Sequence, residues 1–71
     1  SIDEAILLSD RIFLMSSQPG TIAEEVKINL PRPRKMAQVR SDQNMADVFL
    51  KIWNHLQTEV QASRNLTMNE R

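Results

Sequence analysis

The chain lacks cysteine and has one histidine, one glycine and three prolines among its 71 residues. Without cysteine it can form neither a disulfide nor a thiolate metal site, and one histidine does not make a zinc site. One glycine also cannot build the glycine-rich loop that cradles phosphate groups. These absences exclude a disulfide-stapled domain, a zinc domain and a self-contained nucleotide-binding loop.

Long hydrophobic runs are absent as well. No apolar run is longer than that from Ala5 to Leu8, which is far shorter than the roughly 20 residues that cross a bilayer. No charged-then-apolar secretory leader opens the chain, so we expect a cytoplasmic protein. The chain starts with Ser1 and helical periodicity already runs at Ile2, so we also expect an upstream part to be missing.

The size of the chain limits its core. A domain of this length buries only about 60% of the surface that its unfolded chain exposes. Hydrophobic residues nevertheless make up 41% of the sequence and include Phe13, Phe49 and Trp53, which is too apolar for a disordered tail. We expect one folded domain that gains burial from a partner or from another copy of itself.

The formal net charge is zero, but charge is segregated along the chain. Ser1 to Leu30 carries about −3 and Pro31 to Arg40 about +4. The candidate basic patch consists of Arg32, Arg34, Lys35 and Arg40. Such a cluster can attract nucleic acid, anionic lipid or other anions. No aromatic residue is interleaved to stack on bases, so we favour a solvated connector over nucleic-acid binding.

Local patterns predict a helix followed by a β-hairpin. Ser1 to Glu4 has the form of a helix capping box, and Ser9-Asp10 supplies turn chemistry. Arg11 to Ser16 is short and apolar, which is typical of a strand covered on both faces. Pro19-Gly20 predicts a turn with positive φ at the glycine. Thr21 to Leu30 then alternates as an antiparallel partner strand, although Ala23-Glu24 interrupts the period.

A connector and an amphipathic helix complete the pattern. Pro31 and Pro33 deny backbone donors to a sheet, so the segment to Arg40 is predicted to be a connector. Ser41, with Asp42 next to it, is the predicted N-cap of a helix that ends near Ala62. The candidate interaction face on this helix, which we interpret mainly as a core face, consists of Met45, Phe49, Ile52, Trp53 and Leu56.

Together these elements predict an α+β fold with a short N-terminal helix, an antiparallel two-stranded hairpin, a proline-rich connector and a longer C-terminal amphipathic helix. Residues 1–62 are expected to form one module and residues 63–71 a frayed tail. One helix covers only one face of a hairpin. We therefore expect a homo-oligomer, most simply a two-fold dimer.

Two other groups of polar residues have structural interpretations. His55 lies beside the apolar face of the last helix without a histidine or cysteine companion, so we expect a solvated or hydrogen-bonded helix histidine. Asp3, Glu4 and Asp10 occupy cap and turn positions, which explains these carboxylates without acid/base chemistry.

Several strings resemble the ATP-binding subunits of ABC transporters. Ile2 to Ser16 is similar to the segment after the switch histidine, where Glu-Ala, Leu, Ala/Ser-Asp-Arg-Ile and Met recur at this spacing. Pro19–Ile22 and Leu30–Arg34 resemble what the nitrate/sulfonate/taurine importer branch places next. A helix with an apolar and aromatic face closes such subunits. The resemblance extends from Ser1 to Leu56 and implies a C-terminal segment of that subunit.

The resemblance also implies what the chain does not contain. It places the histidine that contacts the γ-phosphate immediately before Ser1. The phosphate loop, the glutamine loop, the signature motif and the acidic strand that supports magnesium would lie further upstream. Phosphoryl transfer depends on those groups. No catalytic residue, cofactor-binding residue or metal ligand is therefore carried over, and ATP and magnesium are implied for the full-length family member only.

The leading interpretation is a non-catalytic portion of a transport ATPase. The resemblance implies that the full subunit lies at the inner membrane and couples ATP hydrolysis to anion uptake. Its implied partners are the rest of the ATPase domain, a membrane permease subunit and a periplasmic binding protein. Two alternatives stay open: a free-standing oligomeric interaction protein that works through Phe49, Trp53 and their neighbours, and a weak binder of nucleic acid or anionic lipid through the basic patch.

Overall fold

The protein has an α+β fold, as the sequence predicts. A computed structural model describes residues 1–18 and 20–69, with side chains as far as residue 64. The elements in chain order are α1 (Ile2–Leu8), β1 (Arg11–Met15), β2 (Ile22–Lys27), α2 (Met36–Ser41) and α3 (Gln43–Asn69). Within the described residues, no helix is long and apolar enough to cross a membrane.

Helix α1 begins where the capping pattern predicts. The Ser1 hydroxyl accepts a hydrogen bond from the backbone N–H of Glu4 at 3.3 Å, which satisfies one of the free donors at the start of the helix. Ser9 ends the helix in an extended conformation. Ile6 is fully buried, so this short helix contributes a central side chain to the core.

The two strands pair antiparallel with one irregularity in their register. Leu14 faces Glu24, whereas Met15 faces Ile22, so Ala23 is an extra residue on β2. A bulge of this kind shifts the alternation of side chains by one position. It lies at the point where the sequence pattern of the second strand is interrupted.

The hairpin turn confirms the prediction for its glycine. The backbone N–H of Thr21 donates to the carbonyl oxygen of Gln18 at 3.2 Å. Gly20 has φ of 77°, a left-handed conformation that side chains with a Cβ atom rarely adopt. Pro19, the other half of the predicted pair, lies outside the described residues.

The prediction of a connector as far as Arg40 is wrong, because α2 occupies its second half. Only the part that contains the prolines is irregular. Helix α2 forms because Val39 is buried to 3% exposure against the core. In addition, the Gln38 side-chain oxygen accepts a hydrogen bond from the backbone N–H of Lys35 at 3.1 Å, which satisfies a donor at the helix start.

The predicted N-cap of the last helix is wrong by one residue. Ser41 is the final residue of α2. The carboxylate of Asp42 instead accepts a hydrogen bond from the backbone N–H of Met45 at 3.1 Å, which is the capping geometry. Asp42 therefore separates α2 from α3.

Helix α3 also extends beyond its predicted end near Ala62 and continues to Asn69. Residues 43–69 contain neither glycine nor proline, so nothing in the local chemistry stops the helix at the point where the apolar period is lost. The expected fraying of residues 63–71 stays a prediction, and Glu70 and Arg71 lie outside the described residues.

The core lies where α1, α2 and the first half of α3 meet one face of the hairpin. Partly buried residues such as Val48 and Phe49 surround it. The buried side chains are Ile6, Leu14, Val26, Ile28, Val39, Met45 and Ile52.

A buried arginine joins these elements. The side chain of Arg34 is only 3% exposed, although arginine is rarely fully buried without partners. It donates hydrogen bonds to the backbone carbonyl oxygens of Ile6, Leu7, Ser9, Ile28 and Leu30. The shortest of these bonds are 2.7 Å, to Ser9, and 2.8 Å, to Leu30. We call this set of contacts the arginine clamp.

The arginine clamp supplies a positively charged hydrogen-bond donor for the carbonyl groups at the end of α1, where no neighbouring residue provides one. The last turn of α1 contains no basic residue, and the final carbonyl groups of a helix have no partner inside it. These carbonyls carry partial negative charge, which a cation stabilises. The planar guanidinium has enough donors to reach the end of α1 and the segment after β2 at the same time.

Replacing Arg34 should destabilise the fold strongly. We expect Arg34→Ala to lower the free energy of unfolding by about 3 kcal/mol and Arg34→Lys by about 2 kcal/mol, because a point charge cannot reach all the carbonyls that the guanidinium reaches. Urea denaturation measures both losses. In the control Arg40→Ala, removing an exposed ion pair should cost less than about 1 kcal/mol. Equal small losses in Arg34→Lys and Arg40→Ala would contradict the clamp.

Replacing the cap of α3 should have a smaller effect. We expect Asp42→Ala to lower the free energy of unfolding by about 1 kcal/mol, because the N–H of Met45 loses its partner. The matched control is Ser41→Ala, which leaves that bond intact and should cost only a few tenths of a kcal/mol. Urea denaturation followed by circular dichroism compares the two. A larger loss for Ser41→Ala would indicate that Ser41, and not Asp42, caps α3.

Candidate functional site

The five residues of the candidate interaction face do not share one environment. Met45 is 3% and Ile52 5% exposed, so both belong to the core. Phe49 is partly buried against that core. Trp53 and Leu56 are 47% and 44% exposed, respectively. The interpretation as a core face therefore fits the beginning of α3, and a surface available for contacts begins near Trp53.

The exposed apolar residues of α3 follow one side of the helix. Each is 44–55% exposed, and spacings of three and four residues place them on neighbouring turns. We call them the α3 stripe: Leu50, Trp53, Leu56 and Val60. The Trp53 ring stacks on Phe49 with ring centroids 6.5 Å apart and an interplanar angle of 8°. The stripe is therefore anchored to the core through this aromatic pair.

A second apolar surface lies on the hairpin. Phe13, Met15 and Ile22 are 47%, 50% and 55% exposed, and we call these three residues the outer hairpin face. The Arg11 guanidinium lies 5.6 Å from the centroid of the Phe13 ring, a cation–π contact. Arg11 also pairs with Glu25 at 3.5 Å. Charged side chains thus border this face on one side.

The structure covers only one face of β1. Leu14 is buried and Ile12 is partly buried, whereas Phe13 and Met15 point away from the core. The predicted strand with both faces covered is therefore not formed within the described chain. The reason is the small number of elements, because α1, α2 and α3 all pack on the inner face of the hairpin.

Polar contacts hold α3 against the hairpin. The His55 ring nitrogen Nε2 lies 2.7 Å from the carbonyl oxygen of Met15, so His55 is a hydrogen-bonded helix histidine. Lys51 pairs with Glu24 at 2.7 Å. Both residues lie on the side of α3 that faces the hairpin. These contacts fix the orientation of the helix and leave the α3 stripe outside.

The structure places the four residues of the candidate basic patch in different environments. Arg34 is buried in the arginine clamp. Arg32 pairs with Asp10 at 2.9 Å and donates to the carbonyl oxygen of Leu8. The two remaining residues, Lys35 and Arg40, flank or lie within α2, and Arg40 pairs with Asp3 at 3.2 Å. Internal partners thus engage the three arginines.

Asp10 is the negative partner of this arginine-rich region. A hydrogen bond from Arg32 and the positive charge of that guanidinium hold the pKa of the Asp10 carboxyl below its ordinary value of 3.8. Partial desolvation opposes the shift, and the charges of Arg34 and Arg11 reinforce it. Asp10 is therefore an ionised partner at neutral pH.

The side chains of Asp3 and Asp10 have structural partners, and Glu4 contributes through its backbone. Asp3 pairs with Arg40, Asp10 with Arg32, and Glu4 contributes its backbone N–H to the helix cap. Among the described residues, no group of three or more histidine and acidic side chains could hold a metal ion. The single glycine lies in the hairpin turn. Asp3, Glu4 and Asp10 therefore take part in ion pairs and a helix cap.

The arginine clamp is the feature that sequence reasoning missed. The sequence pattern groups Arg34 with its neighbours, because a run of basic residues is usually solvated. One local observation could have pointed to it, since α1 ends without a glycine and without a basic residue in its last turn. Such a helix end needs a donor from elsewhere in the chain.

Comparison with known proteins finds similarity to ATP-binding proteins of ABC transporters. An uncharacterized ABC transporter ATP-binding protein of Methanocaldococcus jannaschii is 43% identical over 60 residues, which cover 84% of this chain and 21% of the relative. The nitrate import ATP-binding protein NrtC of Synechococcus elongatus is 31% identical over 64 residues, or 89% of this chain and 10% of the relative.

A third relative adds sulfonate import. The aliphatic sulfonates import ATP-binding protein SsuB 1 of Xanthomonas axonopodis is 58% identical over 33 residues, which cover 46% of this chain and 13% of the relative. No family model and no solved structure matches the chain. The chain spans about a tenth to a fifth of the length of these relatives. It is therefore related, over a short segment of their length, to the ATP-binding proteins of ABC transporters for nitrate and aliphatic sulfonate import.

Proposed function

We propose that this chain is a non-catalytic, C-terminal portion of the ATP-binding subunit of an ABC importer for nitrate- or sulfonate-type anions. The observation that carries the proposal is the 43% identity to an ABC transporter ATP-binding protein over 84% of the chain. A match of that extent covers most of the chain. The role of the segment in the proposal is structural.

The surfaces of the chain support a structural role. In the proposal, the outer hairpin face packs against the preceding part of the ATP-binding domain and completes the edge of that domain. Phe13, Met15 and Ile22 are about half exposed, and apolar residues grouped on one sheet face are typical of an interface. The arginine clamp and α3 hold the hairpin in the conformation that presents this face.

The proposal assigns nucleotide chemistry to other parts of the subunit. Phosphate recognition needs a glycine-rich loop and its lysine, whereas the one glycine of this chain lies in a hairpin turn. ATP and magnesium would therefore be bound upstream. The partners would be the rest of the ATPase domain, a membrane permease and a periplasmic binding protein, with the subunit on the cytoplasmic side of the inner membrane.

A second candidate is a free-standing interaction protein. It is favoured by the α3 stripe, which offers an apolar surface on the chain itself. The gene sequence upstream of Ser1 distinguishes the two candidates. An open reading frame that continues upstream into a phosphate loop supports the portion of an ATP-binding subunit. A start codon immediately before Ser1 supports the free-standing interaction protein. Binding of anions through the basic patch is less favoured, because Arg34 is buried and Arg32 and Arg40 have carboxylate partners.

Fragment complementation tests the leading proposal. The upstream part of the same gene product would be expressed with and without this chain, and magnesium-dependent ATP hydrolysis would be measured. We expect the chain to restore hydrolysis and to bind no ATP by itself in titration calorimetry. We also expect Phe13→Asp to abolish the restoration, because a charge would be buried on the outer hairpin face.

The matched control is Leu8→Asp, which changes an exposed apolar residue on α1 in the same way and should leave the restored activity unchanged. Circular dichroism would verify that both variants fold. The proposal fails if hydrolysis by the upstream part does not depend on this chain. It also fails if Phe13→Asp restores activity as well as the unchanged sequence does.

A further inference from the structure

We infer that a cavity between α1, α2 and α3 is a binding site for a small zwitterion with an apolar side chain, and a free α-amino acid of the leucine type is the ligand class that it fits. None of the residues that line this cavity belongs to the outer hairpin face, so the site does not depend on the proposed function.

The floor of the cavity is apolar and belongs to the core. The volume is about 350 Å³, within the range of ligand pockets, which combine an apolar lining with a few polar groups that orient the ligand. Ile6, Val39 and Met45 line the floor and are at most 3% exposed. Phe49 also lines it and stacks on the Trp53 ring. Because core packing holds these side chains in place, less entropy is lost when a ligand binds.

A charged pair lies at the rim of the same cavity. The Arg40 Nε–H donates a hydrogen bond to Oδ2 of Asp3 at 3.2 Å, and both residues line the cavity. This contact uses one oxygen of the carboxylate and one nitrogen of the guanidinium. Within the part of the chain that the structure describes, Oδ1 of Asp3 and the Nη groups of Arg40 have no hydrogen-bond partner. Each charged group therefore has polar atoms left for a ligand.

The charges at the rim favour a zwitterion. An ammonium group beside Asp3 and a carboxylate beside Arg40 would each meet the opposite charge, whereas a simple anion or cation would meet one attractive and one repulsive group. The two charged groups of an α-amino acid are joined through one carbon atom, so they can contact both residues of the pair at once. The Arg40 side chain is 67% exposed, so the charged end of the ligand would stay partly hydrated.

The apolar side chain of the ligand would lie against the floor of the cavity. Ala46 forms part of the wall and has only a methyl group, which leaves room beside it. Leu50 lies on the same wall and is 55% exposed, so the cavity is open to solvent there. Because the ligand is small and the cavity is open, we expect a dissociation constant for leucine on the order of 1 mM.

Titration of the ¹⁵N-labelled chain with L-leucine, followed by nuclear magnetic resonance, tests the site. We expect saturable shifts of the backbone signals of Val39, Ala46 and Leu50, and no shift of Phe13 on the outer hairpin face. 4-Methylpentanoate is leucine without its ammonium group and 3-methylbutylamine is leucine without its carboxylate, and each should bind about fivefold more weakly. Glycine, which has no side chain, should bind at least about tenfold more weakly.

Variants of the rim and the wall test the orientation of the ligand. Arg40→Gln should weaken leucine binding about fivefold without weakening the binding of 3-methylbutylamine, which has no carboxylate. The matched control is Arg11→Gln, because Arg11 is also exposed and pairs with Glu25 at 3.5 Å, but does not line the cavity. Ala46→Leu should fill the cavity and abolish saturable binding, whereas Ala62→Leu makes the same change further along α3 and should not. Circular dichroism verifies that each variant folds.

Three results would overturn the inference. The first is the absence of shifts in the cavity signals at about ten times the expected dissociation constant. The second is binding of 4-methylpentanoate as tight as that of leucine, which would mean that the ammonium group finds no partner. The third is equal affinity for leucine in Arg40→Gln and Arg11→Gln, which would mean that Arg40 does not hold the carboxylate.

Discussion

The burial of one guanidinium group between the end of α1 and the segment after β2 is the constraint on which the rest of the structure depends. Arg34 is 3% exposed, and its nearest carboxylate, that of Asp10, is 3.9 Å away. Backbone carbonyl dipoles therefore provide most of the compensation for its charge. The clamp fixes where the proline-containing segment leaves the hairpin, and this determines how α2 and α3 approach the core. A lysine would have the charge without the geometry.

Because the core of this chain is small, several of its large apolar side chains stay exposed on the surface. With α1, α2 and α3 on one side of the hairpin, the other side of β1 remains apolar and exposed. On helix α3, the four residues of the α3 stripe stay 44–55% exposed. In the proposed function, the outer hairpin face would contact the rest of an ATP-binding domain.

Local chemistry predicted much of the fold. The hydroxyl of Ser1 caps α1, Gly20 has positive φ, and the irregular period at Ala23 coincides with a bulge. The failures involve contacts between distant residues. Helix α2 depends on Val39 reaching a core formed by other elements, and Arg34 binds carbonyls up to 28 positions away. The candidate site was half predicted, because helical spacing identifies a face but does not reveal where the hairpin stops covering it.

Nuclear magnetic resonance of the arginine side chains tests the central claim most directly. In a ¹⁵N-labelled sample, the Nε–H of Arg34 should exchange slowly with water, because it donates to the carbonyl oxygen of Leu30. The Nη1 and Nη2 groups should give separate signals, because Nη1 donates to carbonyl oxygens of α1 and Ser9 whereas Nη2 donates to that of Ile28. Arg11, whose side chain is 62% exposed, provides the internal reference and should exchange rapidly. If Arg34 and Arg11 exchange at similar rates and both show averaged Nη signals, the guanidinium is not held in the clamp and the account is wrong.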